Sequence, residues 1–344
     1  EFRRVLFRSS ELILAQAGEK PRFYHFRKDP DGAYLIAISD AYGNRLELSR
    51  DRLGRPRRLS HKAGRALLLC YQGRHIERVE YQVYQPADNL EACWHTTQVL
   101  ARYRCNERGQ LIEAGNALYE AERYRYDARN VILERQLAGG ASFFWEWEGE
   151  GKQARAVHHW ASFPQMDSRY VWNEDGSVTA INADGSEEVY VHDDNARLVR
   201  QVDPDGGETL RHYDEKGQLV AERDPLGTIT EYRYDQAGRL EALLPAEGEP
   251  TCYSYFDGFV RSVRRGEAQW KYERNTQGDI TRQTDPEGNV THYAYDHRGC
   301  LVEITHADGS LHQLTWNPLG QLIEEQLPDG SVRRYRYDTL GRQD

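Results

Sequence analysis

The chain has 344 residues, with 45 basic and 55 acidic side chains and a formal charge of −10, so it offers no basic surface on which to hold nucleic acid. Hydrophobic residues make up 39% and aromatic residues 11%, with 22 Tyr and 7 Trp, which marks a folded, wet-faced chain rather than a disordered one. The longest apolar stretches, such as Leu12 to Ala15 and Leu67 to Tyr71, fall far short of the roughly 18 residues of a membrane span, and Glu11 and Glu19 bracket the one candidate signal core.

In chain order, Glu1 to Ser10 match no later pattern, and Glu-Phe is what a common cloning site encodes; residues 1–10 read as a non-native leader. Residues 11–100 read as degenerate repeats. Gly43, Gly54 and Gly64 recur at steps of 11 and 10, and Gly43-Asn44-Arg45-Leu46 resembles later segments. Pro86, Ala87, Asp88 and Asn89 predict a longer loop where the phase is lost. The 5 cysteines (Cys70, Cys93, Cys105, Cys252, Cys300) are odd in number, widely spaced and never paired as C-x-x-C, which gives neither a disulfide framework nor a zinc ribbon.

Residues 101–344 read as regular repeats that stop in mid-unit. Tyr232-Arg233-Tyr234-Asp235-Gln236-Ala237-Gly238-Arg239-Leu240 returns as Tyr293-Ala294-Tyr295-Asp296-His297-Arg298-Gly299-Cys300-Leu301, and again from Tyr335. With the second aromatic as anchor, the anchors fall at Cys105, Tyr126 and Trp147, at His192, Tyr213, Tyr234 and Tyr255, and at Arg274, Tyr295, Trp316 and Tyr337, every step within a run being 21 residues. The steps of 25, 20 and 19 around Trp172 and Arg274 read as changes of loop length.

Each unit carries two turn signals, Asp-x-x-Gly at Asp235 to Gly238 and Asp-Pro-x-Gly at Asp224 to Gly227 and Asp285 to Gly288. Asp accepts hydrogen bonds from the backbone ahead of it, Pro presets φ, and Gly takes φ > 0. Asn130 replaces Gly after Tyr126-Asp127 and is expected to be left-handed. Between turns the pattern alternates: Thr230, Tyr232 and Tyr234 share one face, Ile229, Glu231 and Arg233 the other. The fold class is therefore all-β, a curved antiparallel sheet of stacked 21-residue hairpins. Ordering one such unit costs on the order of 30 kcal/mol, which a lone hairpin does not offset, so neighbours must pair. The regular aromatics are expected to form a cross-strand seam, and the first and last strands to expose unpaired edges.

These residues, Tyr-Asp-x-x-Gly-Arg-Leu with Asp-Pro-x-Gly between, resemble the YD repeats of Rhs proteins, whose relatives include insecticidal toxin-complex shell subunits, bacterial wall-associated toxins and teneurins. The resemblance spans about residues 23 to 344. Its motif positions are Tyr126, Asp127, Tyr213, Asp214, Gly217, Tyr234, Asp235, Gly238, Tyr295, Asp296, Gly299, Tyr337, Asp338 and Gly341. It implies a segment of a cocoon-like shell, non-catalytic and without cofactor, that encloses a C-terminal toxin passenger absent from this sequence. It further implies a bacterial protein exported from the cytoplasm, with secretion-apparatus spike or adaptor proteins as partners. The family's self-cleaving core motif has no counterpart among these residues.

Other chemistry finds weak support. Gly149-Glu150-Gly151-Lys152 starts like a dinucleotide loop but precedes no helical pattern. Adjacent strand residues His158 and His159 point to opposite faces and cannot both bind one metal. Asp203-Pro204-Asp205-Gly206 and Asp193-Asp194-Asn195 sit at turn positions and lack the closing Glu of a calcium loop. Glu146, Glu148 and Glu150 alternate with Trp145 and Trp147, as on a solvated strand face. The alternative function is a glycan- or cell-surface-binding module using a row of Tyr232, Tyr253, Tyr293 and Tyr335. Buried rings on the shared face favour the scaffold; a solvent-facing aromatic row on the convex surface favours sugar.

Overall fold

The turns are what divide this chain into strands. In the computed structural model, which describes residues 2–8, 11–16, 20–30, 32–85, 93–338 and 341–343, Asp235 closes its turn at both ends: its N–H donates to the Arg239 carbonyl and its own carbonyl accepts the Gly238 N–H, each at 2.9 Å. Its Oδ1 accepts the N–H groups of Ala237 and Arg239, both at 2.9 Å. Gly238 sits at φ +79°, a conformation that costs an L side chain about 1–2 kcal/mol. The leader residues Glu1, Ser9 and Ser10 and the loop at Pro86, Ala87, Asp88 and Asn89 lie outside the described residues.

The same closure recurs at Asp224, whose Oδ1 accepts from Leu226 and Thr228 at 3.0 and 2.8 Å. Other second turns use a different chemistry, with Asp one residue before Gly. Asp175, Asp184 and Asp308 each accept the N–H of the serine two residues on, at 2.9 Å. Two left-handed residues match different expectations. Asn130 takes φ 73° as its sequence position predicts, whereas Ala196 takes φ 59° in the slot that Gly occupies elsewhere, which no residue pattern signalled.

Short antiparallel strands fill the space between turns, and the only helical element among the described residues is one 3₁₀ turn at Gly151–Gln153. Contacts group the chain into two compact units, one of Glu1–Ala66, Tyr84–Cys93 and Glu249–Asp344, the other of Leu67–Val83 and Trp94–Gly248. In the second unit every strand from Cys93–Cys105 to Leu240–Pro245 pairs with its successor. The first unit holds two such ladders. One runs from Phe2–Arg8 to Pro56–His61. The other runs from Thr251–Phe256 to Val332–Arg334.

Along Ile229–Tyr234 exposure alternates, with Thr230, Tyr232 and Tyr234 half-buried and Ile229, Glu231 and Arg233 exposed, the faces the alternation predicts. Little of the wall is deeply covered. The buried apolar residues among those described are mostly alanines, such as Ala37, Ala66, Ala161, Ala180 and Ala242, and no large side chain is fully buried. The accessible surface is 22932 Å², against about 14,000 Å² for a globular monomer of this mass.

Turn geometry thus carries much of the stability, and two substitutions should read it. Ala196→Gly is expected to stabilise the chain by about 1 kcal/mol through relief of left-handed strain. Gly238→Val is expected to lower the denaturation midpoint well beyond Gln236→Val, and equal midpoints for the two valine variants would contradict the turn assignment.

Candidate functional site

Beside the Tyr-Asp turns at Tyr126, Tyr213, Tyr234 and Tyr295 the ladder slips by one residue. Tyr213 faces Leu219 while His212 faces Ala221, so Val220 is extra; Tyr234 faces Leu240, Tyr295 faces Leu301 and Trp316 faces Leu322 across the same kind of bulge. A bulge bends its strand and ends regular pairing to the next one. Pairing of Leu219–Arg223 with Ile229–Tyr234 accordingly stops at Ala221 opposite Glu231, and the Leu219 carbonyl lies past the last backbone pair. The Tyr234 hydroxyl donates to that carbonyl at 2.8 Å.

This link is the repeated site of the molecule. Eight anchors, Trp147, Trp172, Tyr213, Tyr234, Arg274, Tyr295, Trp316 and Tyr337, donate to the carbonyl of the residue paired with the anchor before them. Tyr213 reaches Leu198 at 3.1 Å, Tyr295 reaches Ile280 at 2.9 Å, and Tyr337 reaches Leu322 at 2.9 Å. Indole Nε1 replaces the hydroxyl in Trp147, which donates to Ile132 at 2.6 Å, and in Trp316, which donates to Leu301 at 2.6 Å. Across the 25-residue step Trp172 still reaches Ala156, the partner of Trp147, at 2.9 Å. Arginine serves at two anchors: Arg274 Nε donates to Val260 at 3.4 Å, and Arg50 donates to Leu35 at 3.3 Å. Arg50 lies in the degenerate region and carries no Tyr-Asp signature; only its place before Asp51-Arg52-Leu53-Gly54 marks it. Tyr126 is half-buried, and burial, then Cys105, push its hydroxyl pKa up.

The motif aspartates hold the turns. Asp127, Asp214 and Asp296 each accept N–H groups two and four residues ahead, at distances from 2.8 to 3.2 Å, and Asp338 accepts from Arg342 N–H at 2.9 Å. Gly217, Gly299 and Gly341 take φ of 83°, 85° and 83°. Arg239 Nε bonds Asp235 Oδ2 at 2.7 Å; this contact, then the backbone N–H of Arg239, holds the Asp235 carboxyl below its ordinary range, and Arg197 does the same for Asp193. Side chains also stitch successive turns together: Gln218 Nε2 donates to the Gly238 carbonyl at 2.9 Å and Arg298 to the Asn317 carbonyl at 2.7 Å.

Chemical clusters elsewhere are committed to structure. His158 stacks on Trp160 at 4.3 Å with its Nε2 2.8 Å from Asp167, while His159 stacks on Trp145 at 4.7 Å from the other face. Glu146, Glu148 and Glu150 are exposed, and Gly151–Gln153 forms a single turn, not a phosphate-binding helix start. No group of three His, Cys, Asp or Glu side chains able to hold a metal occurs among the described residues. Ser39 Oγ, His25 Nε2 at 2.8 Å and Glu11 at 3.3 Å from His25 Nδ1 follow the atom order of a hydrolytic triad. The His25 ring is only 8% exposed, and Ser39 is backbone-paired with Phe23 and Arg45, so no oxyanion donors are spare at the hydroxyl. Burial, then Glu80, push the Cys70 thiol pKa up, opposite to what a nucleophile needs.

Turn, bulge and anchor together define a class, the single-layer antiparallel β-repeat wall. The RHS Repeat family model matches residues 213–250, 274–311 and 316–343, and over these segments the chain is similar to RHS repeats. It is 30% identical over 118 residues to "Probable deoxyribonuclease RhsA" of Dickeya dadantii (strain 3937), covering 34% of this chain and 8% of that protein. It is 38% identical over 80 residues to "Probable deoxyribonuclease RhsB" of the same strain, covering 23% and 5%. The chain therefore spans less than a tenth of these relatives. Its fold matches the crystal structure of TcdB2-TccC3-TEV with a TM-score of 0.53 at 16% identity, over 92% of this chain and 21% of that one.

Two measurements bear on the site. Tyr234→Phe keeps the ring and strands the Leu219 carbonyl, so a loss of about 1 kcal/mol is expected in chemical denaturation, with a smaller loss for Tyr232→Phe. Asp127, Asp193, Asp235 and Asp296 titrate lower folded than unfolded, where the value is about 3.9; their contribution is present above that pH and lost as pH falls through the folded value. A midpoint constant from neutral pH to about 5 and falling below about 4 is expected, with a shallower fall in Asp235→Asn.

Proposed function

We propose that this chain is a non-catalytic length of wall from a bacterial Rhs-type toxin shell, enclosing a passenger carried elsewhere in a longer, exported protein. The observation that carries the reading is the seam: anchors and turns spend their donors and acceptors on the wall itself. A surface so satisfied encloses without reacting. The likeness in fold to TcdB2-TccC3-TEV supports this reading. The nuclease names of the two relatives are those proteins' own, and the matched segments make up 8% and 5% of them. Spike or adaptor proteins of a secretion apparatus are the partners this reading calls for.

The glycan reading draws less support. Tyr232, Tyr253, Tyr293 and Tyr335 are all half-buried, and two of their hydroxyls are engaged by the wall, Tyr335 with Glu325 at 2.8 Å and Tyr293 with Gln283 at 3.4 Å. The stacked rings of Phe144, Trp160 and His158 cover one another at 5.3 and 4.3 Å, which leaves few ring faces for sugar.

The test is protease protection in the full-length protein. At neutral pH the passenger is expected to survive digestion that destroys it when expressed alone, and to become cleavable after acidification that carries the pH below the lowered titration range of Asp127, Asp193, Asp235 and Asp296. Passenger cleavage at neutral pH as fast as that of the isolated passenger would overturn the container reading.

A further inference from the structure

The residue two places after the first Asp of a turn is normally a bare tip: Leu53 is 76% exposed and Leu226 92%. Tyr42, in the turn Asp40-Ala41-Tyr42-Gly43-Asn44, is half-buried instead. Asn275 Nδ2 donates to the Tyr42 hydroxyl at 2.8 Å, across 233 residues of sequence. Asn44 Nδ2 donates to the Arg298 carbonyl at 2.8 Å, across 254. The backbone of Gly299 lies so close under the Tyr42 ring that a Cβ there would stand 2.6 Å from its Cδ2 and Cε2 atoms.

We propose that the Asp40–Asn44 turn is a clasp, an interaction surface whose partner is the pair of turns at Asn275–Gly278 and Asp296–Gly299 of the same chain, with Tyr42 as the pin and Gly299 as its seat. Asp40 presets the clasp, its Oδ1 accepting the N–H groups of Tyr42 and Asn44 at 2.9 Å and its Oδ2 the Asn44 side chain at 2.7 Å. Burial, then Asp279, push the Tyr42 hydroxyl pKa up to about 12, so the pin stays a neutral phenol at physiological pH. Gly299 thereby has two reasons to lack a side chain, its φ of +85° and the ring above it, whereas Gly320, at φ +76° with nothing within 4 Å of a built Cβ, has one. The clasp joins the two ladders of the first unit turn to turn. It goes beyond the container reading and is tested apart from it, since a clasped wall could enclose nothing.

The experiment compares Gly299→Ala with Gly320→Ala in the full chain, each in the native and the Tyr42→Ala background. Gly299→Ala is expected to lower the denaturation midpoint more than Gly320→Ala when Tyr42 is present, and equally when it is absent. An excess that persists without Tyr42, or no excess at all, overturns the clasp. Should an alanine variant fail to fold, Tyr42→Phe decides by hydrogen exchange: amides at 275–279 are expected to exchange about tenfold faster, with those at 235–239 unchanged. No change at 275–279, or a uniform rise at both segments, overturns it.

Discussion

The carbonyl left unpaired at a bulge governs this structure wherever the anchor link is made. The bulge beside the Tyr-Asp turns at Tyr126, Tyr213, Tyr234 and Tyr295 lets the strand twist and the sheet curve, but it ends the next ladder early and leaves the first bulge residue facing a gap. A half-buried carbonyl without a partner costs free energy comparable to a lost hydrogen bond. The donor must come from the following strand and must be long, which suits Tyr, Trp and Arg at the anchors that make the link, since Phe has the ring without the donor. Ring and tip then do separate jobs. The ring fills the space opened by the bulge, and the tip satisfies the Leu219, Leu301 or Leu322 carbonyl.

Such satisfaction counts for more in a thin wall than in a globule. With alanines as its most covered apolar residues and no fully buried large side chain among those described, the sheet gains little from a core. The opposite face from the anchors carries cross-strand charges, including Glu208 held between Arg200 and Arg223, and Arg211 on the anchor face pairs with Glu222 at 2.7 Å. Exposed pairs of this sort contribute at most about 1 kcal/mol each, so they keep a wide sheet soluble more than they hold it together. The backbone ladder, the turns and the anchor links are left to provide cohesion, and all three are local hydrogen-bond chemistry.

Legibility followed the same division between local and distant. Asp-x-x-Gly and Asp-Pro-x-Gly announce a turn through residues that touch each other, so the strands, their alternation and left-handed Asn130 could be read in advance. The recurring Tyr-Asp string also placed the anchors. It did not disclose what they bind, because a carbonyl has no letter of its own and the acceptor lies 15 residues back at a bulge that no residue type marks. A seam of ring pairs was therefore the natural expectation from spacing, where the structure has a seam of tip-to-backbone bonds. Arg50 escaped notice as an anchor because its chemistry is a donor rather than an aromatic. The serine-accepting turns at Asp175, Asp184 and Asp308 escaped because a carboxylate one place before Gly does the job of one three places before it. Tyr42 looks like any tip residue until its partner, 233 residues away, is in place.

The link also explains how the repeat survives irregular spacing. Between Trp147 and Trp172 the chain adds residues, and the addition is absorbed at the Gly151–Gln153 turn and the turn after Ala161. The bulge opposite Trp147 is kept, Val157 being the extra residue, and Trp172 finds Ala156 as the regular anchors find their leucines. What must be conserved from one unit to the next is therefore not a residue count but a pairing rule: a bulge, and a donor on the next strand within reach of it. A wall obeying that rule can lengthen its turns without losing register, which leaves the turn rows free to take on other work. In the turn at Tyr42, that work is to seize two turns of another ladder.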